Sequence, residues 1–99
     1  MLTTETVRLP IRDAGAFQQA VEALARGEVI AFPTDTVYGV GAHAFLPRAV
    51  TELYVVKDRP SHLPIPLLLP DAEAMLLVCA DVPPLAWQMA ERFWPGGLS

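Results

Sequence analysis

Two short stretches hold most of the residues whose types and spacing could do chemistry. The first is Pro33-Thr34-Asp35-Thr36-Val37-Tyr38-Gly39-Val40-Gly41-Ala42, where hydroxyls, a carboxylate and glycines crowd together with neither helical nor strand period. It follows an apolar run. Such a loop sets hydroxyls, a carboxylate and backbone N–H groups at the carboxyl end of a strand, where open α/β sheets bind ligands. Gly39 and Gly41 would permit a tight turn or a close approach of backbone to ligand. The same residues also suit an ordinary turn, with Thr34 or Asp35 capping the backbone and Tyr38 filling the core. The pattern G-x-x-x-x-G-K is absent from the sequence, which speaks against a standard nucleoside-triphosphatase loop.

The second stretch is Lys57-Asp58-Arg59-Pro60. The chain has six arginines and a single lysine, and that lysine stands two positions before an arginine that a proline follows. A compact ammonium and a planar guanidinium together suit phosphate, the first as a point charge and the second as a fork. The alternative is a solvated helix end whose cations complement the dipole, worth only about 0.3–1 kcal/mol. His43 and His62 have no second metal ligand at i+3 or i+4. Asp35 suits Mg²⁺ near phosphates or, equally, a turn. Trp87, Phe93 and Trp94 sit at helical spacing and read as core rather than as a base-stacking platform. No serine or cysteine stands beside a base at a spacing that would make it a nucleophile.

The elements that must position these residues follow from periodicity. Val7-Arg8-Leu9 alternates like a short strand. From Asp13 as an N-cap, Phe17, Ala20, Val21 and Leu24 repeat at helical spacing until Gly27 stops the helix. Val29-Ile30-Ala31-Phe32 reads as a strand buried on both faces, ended by Pro33. Pro47 suits the first turn of a helix whose stripe of Val50, Leu53 and Tyr54 leads to Lys57. Leu67-Leu68-Leu69, between prolines, predicts an edge strand. Asp71 would cap a helix over Ala72–Cys79, and Pro83-Pro84 would open another reaching Phe93 or Trp94. The order is that of one mixed α/β unit with few strands, and Leu98-Ser99 reads as a strand just beginning.

Composition bounds the class. The chain has 99 residues, room for one small domain or part of one. Charged residues make up 18% against a usual figure of about 25%, and hydrophobic residues 53%. That excess reads either as the bias of a Leu/Ala-rich organism or, on the preferred reading, as a chain lacking part of the body it packs against. The net charge of −4 supplies no polybasic face for nucleic acid or anionic lipid. Cys79 is the only cysteine and lies in an apolar run, so neither a disulfide framework nor a zinc cluster is available and a core position is expected. Apolar stretches fall short of a membrane span and the N-terminus lacks a signal-peptide core, which predicts a cytoplasmic protein.

Taken together, the blocks Gly27–Gly41, Lys57-Asp58-Arg59-Pro60 and Trp94-Pro95-Gly96-Gly97-Leu98-Ser99 resemble the YrdC-like family, the threonylcarbamoyl-AMP synthases, in order and spacing. The resemblance covers residues 13–99 and implies a single partial domain over 1–99 that corresponds to the family's N-terminal half. The implied fold is α/β, a twisted open mixed sheet with flanking helices, truncated. The implied reaction joins L-threonine, bicarbonate and ATP into threonylcarbamoyl-AMP with release of pyrophosphate, a nucleotidyl transfer serving tRNA modification. Thr36 then matches the threonine contact, Lys57 and Arg59 match the cations facing the ATP phosphates, and Thr34 and Tyr38 shape the pocket wall. No catalytic base is expected among these residues, Mg²⁺ would travel with ATP, and no organic cofactor is implied. The partners implied are proteins that transfer the threonylcarbamoyl group to tRNA.

The sequence departs from the family pattern at Leu63 and Leu68, where relatives carry ligand-holding polar residues, at Pro66, and at Gly97 and Ser99. The family's Ser-Ala-Asn block and a further arginine are not found in the chain, so the fragment alone is expected to be inactive. Two alternatives accompany this reading: a carbamoyl-adenylate-forming domain of hydrogenase maturation proteins, and a non-catalytic RNA-binding module. The low cation content weighs against the second. Removing Lys57 or Arg59 is expected to weaken ATP binding and leave the fold nearly unchanged.

Overall fold

A computed structural model describes residues 5–99. The chain divides into two compact units, the first ending at Pro64 and the second covering Ile65–Ser99. In the first, helix α1 (Ala16–Ala25) leads to strands β1 (Ile30–Phe32) and β2 (Gly39–Gly41), then to helix α2 (Pro47–Val56). The second holds a 3₁₀ turn (Ala72–Ala74) running into the short α3 (Met75–Val78), then α4 (Pro84–Phe93). Among the described residues this is a small α/β arrangement in which two antiparallel strands are accompanied by four helices. The strand expected at Val7–Leu9 is absent: residues 5–10 have no regular structure.

Both helices of the first unit end in the same device. After α1, the Gly27 N–H donates to the Leu24 carbonyl at 3.0 Å and the Glu28 N–H to the Ala23 carbonyl at 3.0 Å. After α2, the Asp58 N–H donates to Val55 at 3.1 Å and the Arg59 N–H to Tyr54 at 3.0 Å. These are paired Schellman bonds, which require a left-handed residue just beyond the helix. Gly27 supplies it with φ 88° and Asp58 with φ 50°. A side chain at Gly27 meets nothing closer than Leu46 Cδ1 at 3.8 Å, so Gly27→Ala should cost only the backbone term, about 1–2 kcal/mol. Asp58→Gly should act in the opposite direction, by less than about 1 kcal/mol, because Asp tolerates this region better than most residues. Urea midpoints at constant slope would read both.

Helix α1 begins two residues later than Asp13 as N-cap suggested. Gly15 occupies its N-cap with φ 88° and no side-chain cap, and Asp13 contributes its carbonyl to the Ala16 N–H at 3.2 Å instead. Pro47 sits in the first turn of α2 as expected. Asp71 caps as read, its Oδ1 accepting from the Ala74 N–H at 3.0 Å. The helix it opens is shorter than predicted and stops at Val78.

The sheet differs most from expectation. β1 pairs with β2 in the register Ile30 with Gly41, Ala31 with Val40 and Phe32 with Gly39. Ala31 is exposed and its neighbours half-buried, so this is no strand sealed on both faces, and part of the presumed loop is its partner. The pairing rests on Phe32. A Cβ added at Gly39 would lie 2.9 Å from Phe32 Cε2, and one at Gly41 3.0 Å from Cε1. Neither glycine has positive φ. They are bare so that an aromatic ring can lie across the neighbouring strand, a role other than the turn or ligand approach expected of them.

No strand forms at Leu67–Leu69. Prolines 64, 66 and 70 remove backbone donors around it, and Leu67 and Leu68 stay exposed. Residues 98–99 are likewise unpaired, with the Leu98 carbonyl accepting from Trp94 Nε1–H at 2.8 Å. The buried hydrophobic residues are Ala16, Ala49 and Leu53 in the first unit and Ala74, Met75 and Ala90 in the second. Trp87 and Trp94 are half-buried, whereas Phe93 and Cys79 are exposed, so neither of these last two is the core residue its setting suggested. No helix among the described residues is long and apolar enough to cross a membrane.

Among the described residues one ion pair stands out at the α1–β1 connection, Arg26 Nη2 to Glu28 Oε2 at 3.0 Å. The hydrogen bond to Arg26 lowers the Glu28 pKa, and the same bond raises that of Arg26. A carboxylate with a depressed folded-state pKa stabilises above its unfolded value and loses that contribution as pH falls through the folded one. The stability difference between the native chain and Glu28→Gln should therefore be small at neutral pH, shrink with added salt, and vanish in acid when followed by denaturant titration.

Candidate functional site

The loop between β1 and β2 is organised by Thr34. Its hydroxyl donates to the Val37 carbonyl, and the same oxygen accepts the Thr36 N–H at 3.2 Å. The Thr36 hydroxyl stands 3.4 Å from it. Such hydroxyl-to-backbone turns are what Ser and Thr form in place of regular structure. With the proton of Thr34 committed to Val37, the Thr36 hydroxyl is the donor of the pair, and its oxygen keeps acceptor capacity for a ligand. Thr34 and Thr36 are both exposed, and Tyr38 is 77% exposed.

The cationic turn is built by the end of α2. Lys57 is the C-cap, its N–H donating to the Leu53 carbonyl at 3.0 Å, and its side chain is exposed. The left-handed Asp58 then reverses the chain and delivers Arg59 back beside the helix. Arg59 Nη2 donates to the Pro64 carbonyl at 2.9 Å, while its Nε is buried and has no partner. The Tyr54 hydroxyl donates to the Leu63 carbonyl at 2.6 Å, and the Leu63 N–H returns to Pro60 at 3.0 Å. Residues 60–64 thus form a strap held on adjacent carbonyls by two side chains, Tyr54 from α2 and Arg59 from the turn that follows it. A cleft of about 410 Å³ opens there, lined by Thr51, Tyr54, Val55, Asp58, Arg59 and Ser61.

The fold brings Thr34 and Thr36 together and sets Lys57 and Arg59 at one helix end. The cleft beside Arg59 has neither threonine in its wall. A second cleft, of about 550 Å³ along α4, holds none of the residues singled out in the sequence. His43 is engaged locally, its Nδ1 accepting the Phe45 N–H at 3.1 Å. Leu63 contributes its backbone to the strap, and Leu68 is 87% exposed. Sequence reasoning missed Tyr54, placing it in an apolar stripe. The signal was its phenolic tip, which on a half-buried ring seeks a partner.

Chemically, the turn offers two cations of different hydration and geometry beside a cleft, which suits an anionic ligand. Among the described residues no three of His, Cys, Asp and Glu stand together as metal ligands. Residues 22–99 match the model of the Sua5, YciO and YrdC family, described as "Telomere recombination". The chain belongs to this family. The YrdC-type chain is 41% identical over 81 residues to the threonylcarbamoyl-AMP synthase of Bacillus subtilis, covering 82% of this chain and 23% of that relative. It is 38% identical over 73 residues to the enzyme of that name from Pyrococcus abyssi, covering 74% and 22%. With the Saccharophagus degradans threonylcarbamoyl-AMP synthase it shares 35% over 78 residues, covering 79% and 41%. The YrdC-type chain therefore spans from 22% to 41% of the length of these three relatives. No solved structure matches it.

Proposed function

We propose that the protein carrying this chain joins L-threonine, bicarbonate and ATP into L-threonylcarbamoyladenylate and pyrophosphate, a nucleotidyl transfer that supplies threonylcarbamoyl-transfer proteins acting on tRNA. The observation that carries the reading is the family match over residues 22–99, which includes both the threonine loop and the cationic turn. In this reading Lys57 and Arg59 bind the nucleotide phosphates, Thr36 binds threonine, and Thr34 and Tyr38 shape the approach to it. The threonine amine condenses with bicarbonate, forming a C–N bond and releasing one water, to give a carbamate whose oxygen attacks the α-phosphorus as pyrophosphate leaves. Negative charge grows on the departing group, so fixed cations and orientation supply the rate and no covalent intermediate on the protein is needed.

Mg²⁺ enters with the nucleotide, since phosphate oxygens and waters suit it better than a cage of side chains. The β1–β2 pair is then one part of a wider twisted mixed sheet with flanking helices, and the reaction is a cytoplasmic one. The test is pyrophosphate release from ATP by the intact protein in the presence of Mg²⁺. Release should require both threonine and bicarbonate, and its absence with all four components present would reject the reading.

A further inference from the structure

We propose that Tyr54 is a positioning residue for nucleotide binding, its hydroxyl fastening the strap of residues 60–64 so that Arg59 is held ready at the cleft; this rests on the nucleotide reading above. Two bonds hold the strap on neighbouring carbonyls, Tyr54 of α2 to Leu63 at 2.6 Å and Arg59, in the turn that follows α2, to Pro64 at 2.9 Å. Both side chains line the same cleft. Arg59 spends one nitrogen on the strap, while its Nε has no partner. A guanidinium tethered through one nitrogen loses little freedom when another meets an anion, because its orientation is already fixed. The tether is only as firm as the carbonyl it grips, and the Pro64 carbonyl follows directly on the one that Tyr54 holds.

Tyr54→Phe removes one oxygen and keeps the ring, so it isolates this effect. In the intact protein the variant should bind ATP about three- to tenfold more weakly, the value of one hydrogen bond, and raise KM for ATP while leaving KM for threonine unchanged. Amide hydrogen exchange across residues 57–64 should speed up to match. Pro60→Ala, which loosens the strap without touching the ring, should shift ATP affinity in the same direction by a smaller factor and serves if Tyr54→Phe folds poorly. Unchanged ATP affinity in a well-folded variant, unchanged strap exchange, or an equal loss for both substrates would overturn the proposal. Wild-type protein that fails to bind ATP would instead reject the nucleotide reading itself.

Discussion

Replacing Arg59 with alanine is expected to weaken nucleotide binding and to destabilise the first unit together, whereas Lys57→Ala should do only the first. The two cations stand two residues apart, yet the structure gives them different work. Lys57 is exposed, and its structural contribution is a backbone bond that alanine would keep. Arg59 grips the Pro64 carbonyl and has a buried Nε. A charge-assisted contact to phosphate contributes about 1.5–3 kcal/mol, so either substitution should weaken ATP binding by about 10- to 150-fold. Losing the strap bond as well should cost Arg59→Ala about 1–2 kcal/mol of stability. In a domain of this size that is a fall of about 4–16 °C in Tm. Lys57→Ala should stay within about 0.5 kcal/mol of the parent, as surface changes do.

This revises the expectation that both cations could be removed without cost to the fold. Calorimetric ATP titration paired with urea unfolding separates the cases. An Arg59→Ala variant as stable as the parent would remove the strap from the argument. A Lys57→Ala variant with undiminished ATP affinity would remove the lysine from the site.

What was legible in the sequence follows from which signals are local. Gly27 after α1, Pro47 opening α2, Asp71 capping and Pro84 opening α4 each act within one turn of their own position, and each stands where it was read. β2 was hidden because Gly39-Val40-Gly41 carries no strand propensity of its own, its partner being a ring seven residues earlier in the chain. Leu67–Leu69 failed in the opposite sense, having apolar residues but no partner strand in its unit. The chemistry of the cationic turn was legible as residue types. Its geometry was not, since a left-handed Asp58 and carbonyl acceptors on Leu63 and Pro64 leave no mark in side-chain spacing.

Gly39→Ala should destabilise the hairpin, and the destabilisation should disappear when Phe32 is removed. The added methyl would sit 2.9 Å from Phe32 Cε2 and 3.0 Å from Cζ, against about 3.5–4.0 Å for comfortable carbon contacts. Overpacking of this kind costs about 1–3 kcal/mol. The half-buried ring can swing aside, but it then leaves the bare backbone of Gly39 and Gly41 that it covers, so relief at one contact forfeits another. In a Phe32→Ala background the clash is gone, and alanine should match or exceed glycine by about 0.5–1 kcal/mol, because it loses less backbone entropy in a strand. The double-mutant cycle should therefore give a coupling energy of about 1–3 kcal/mol between positions 32 and 39. A cost that persists without the ring would mean that Gly39 is bare for some other reason, such as the ligand approach the sequence first suggested. Thr34 and Thr36 lie between the two strands, so a hairpin that yields to the clash should also raise KM for threonine. A hairpin that holds its register should show the stability loss with threonine binding intact, which makes the pair of measurements a test of whether strand pairing sets the loop.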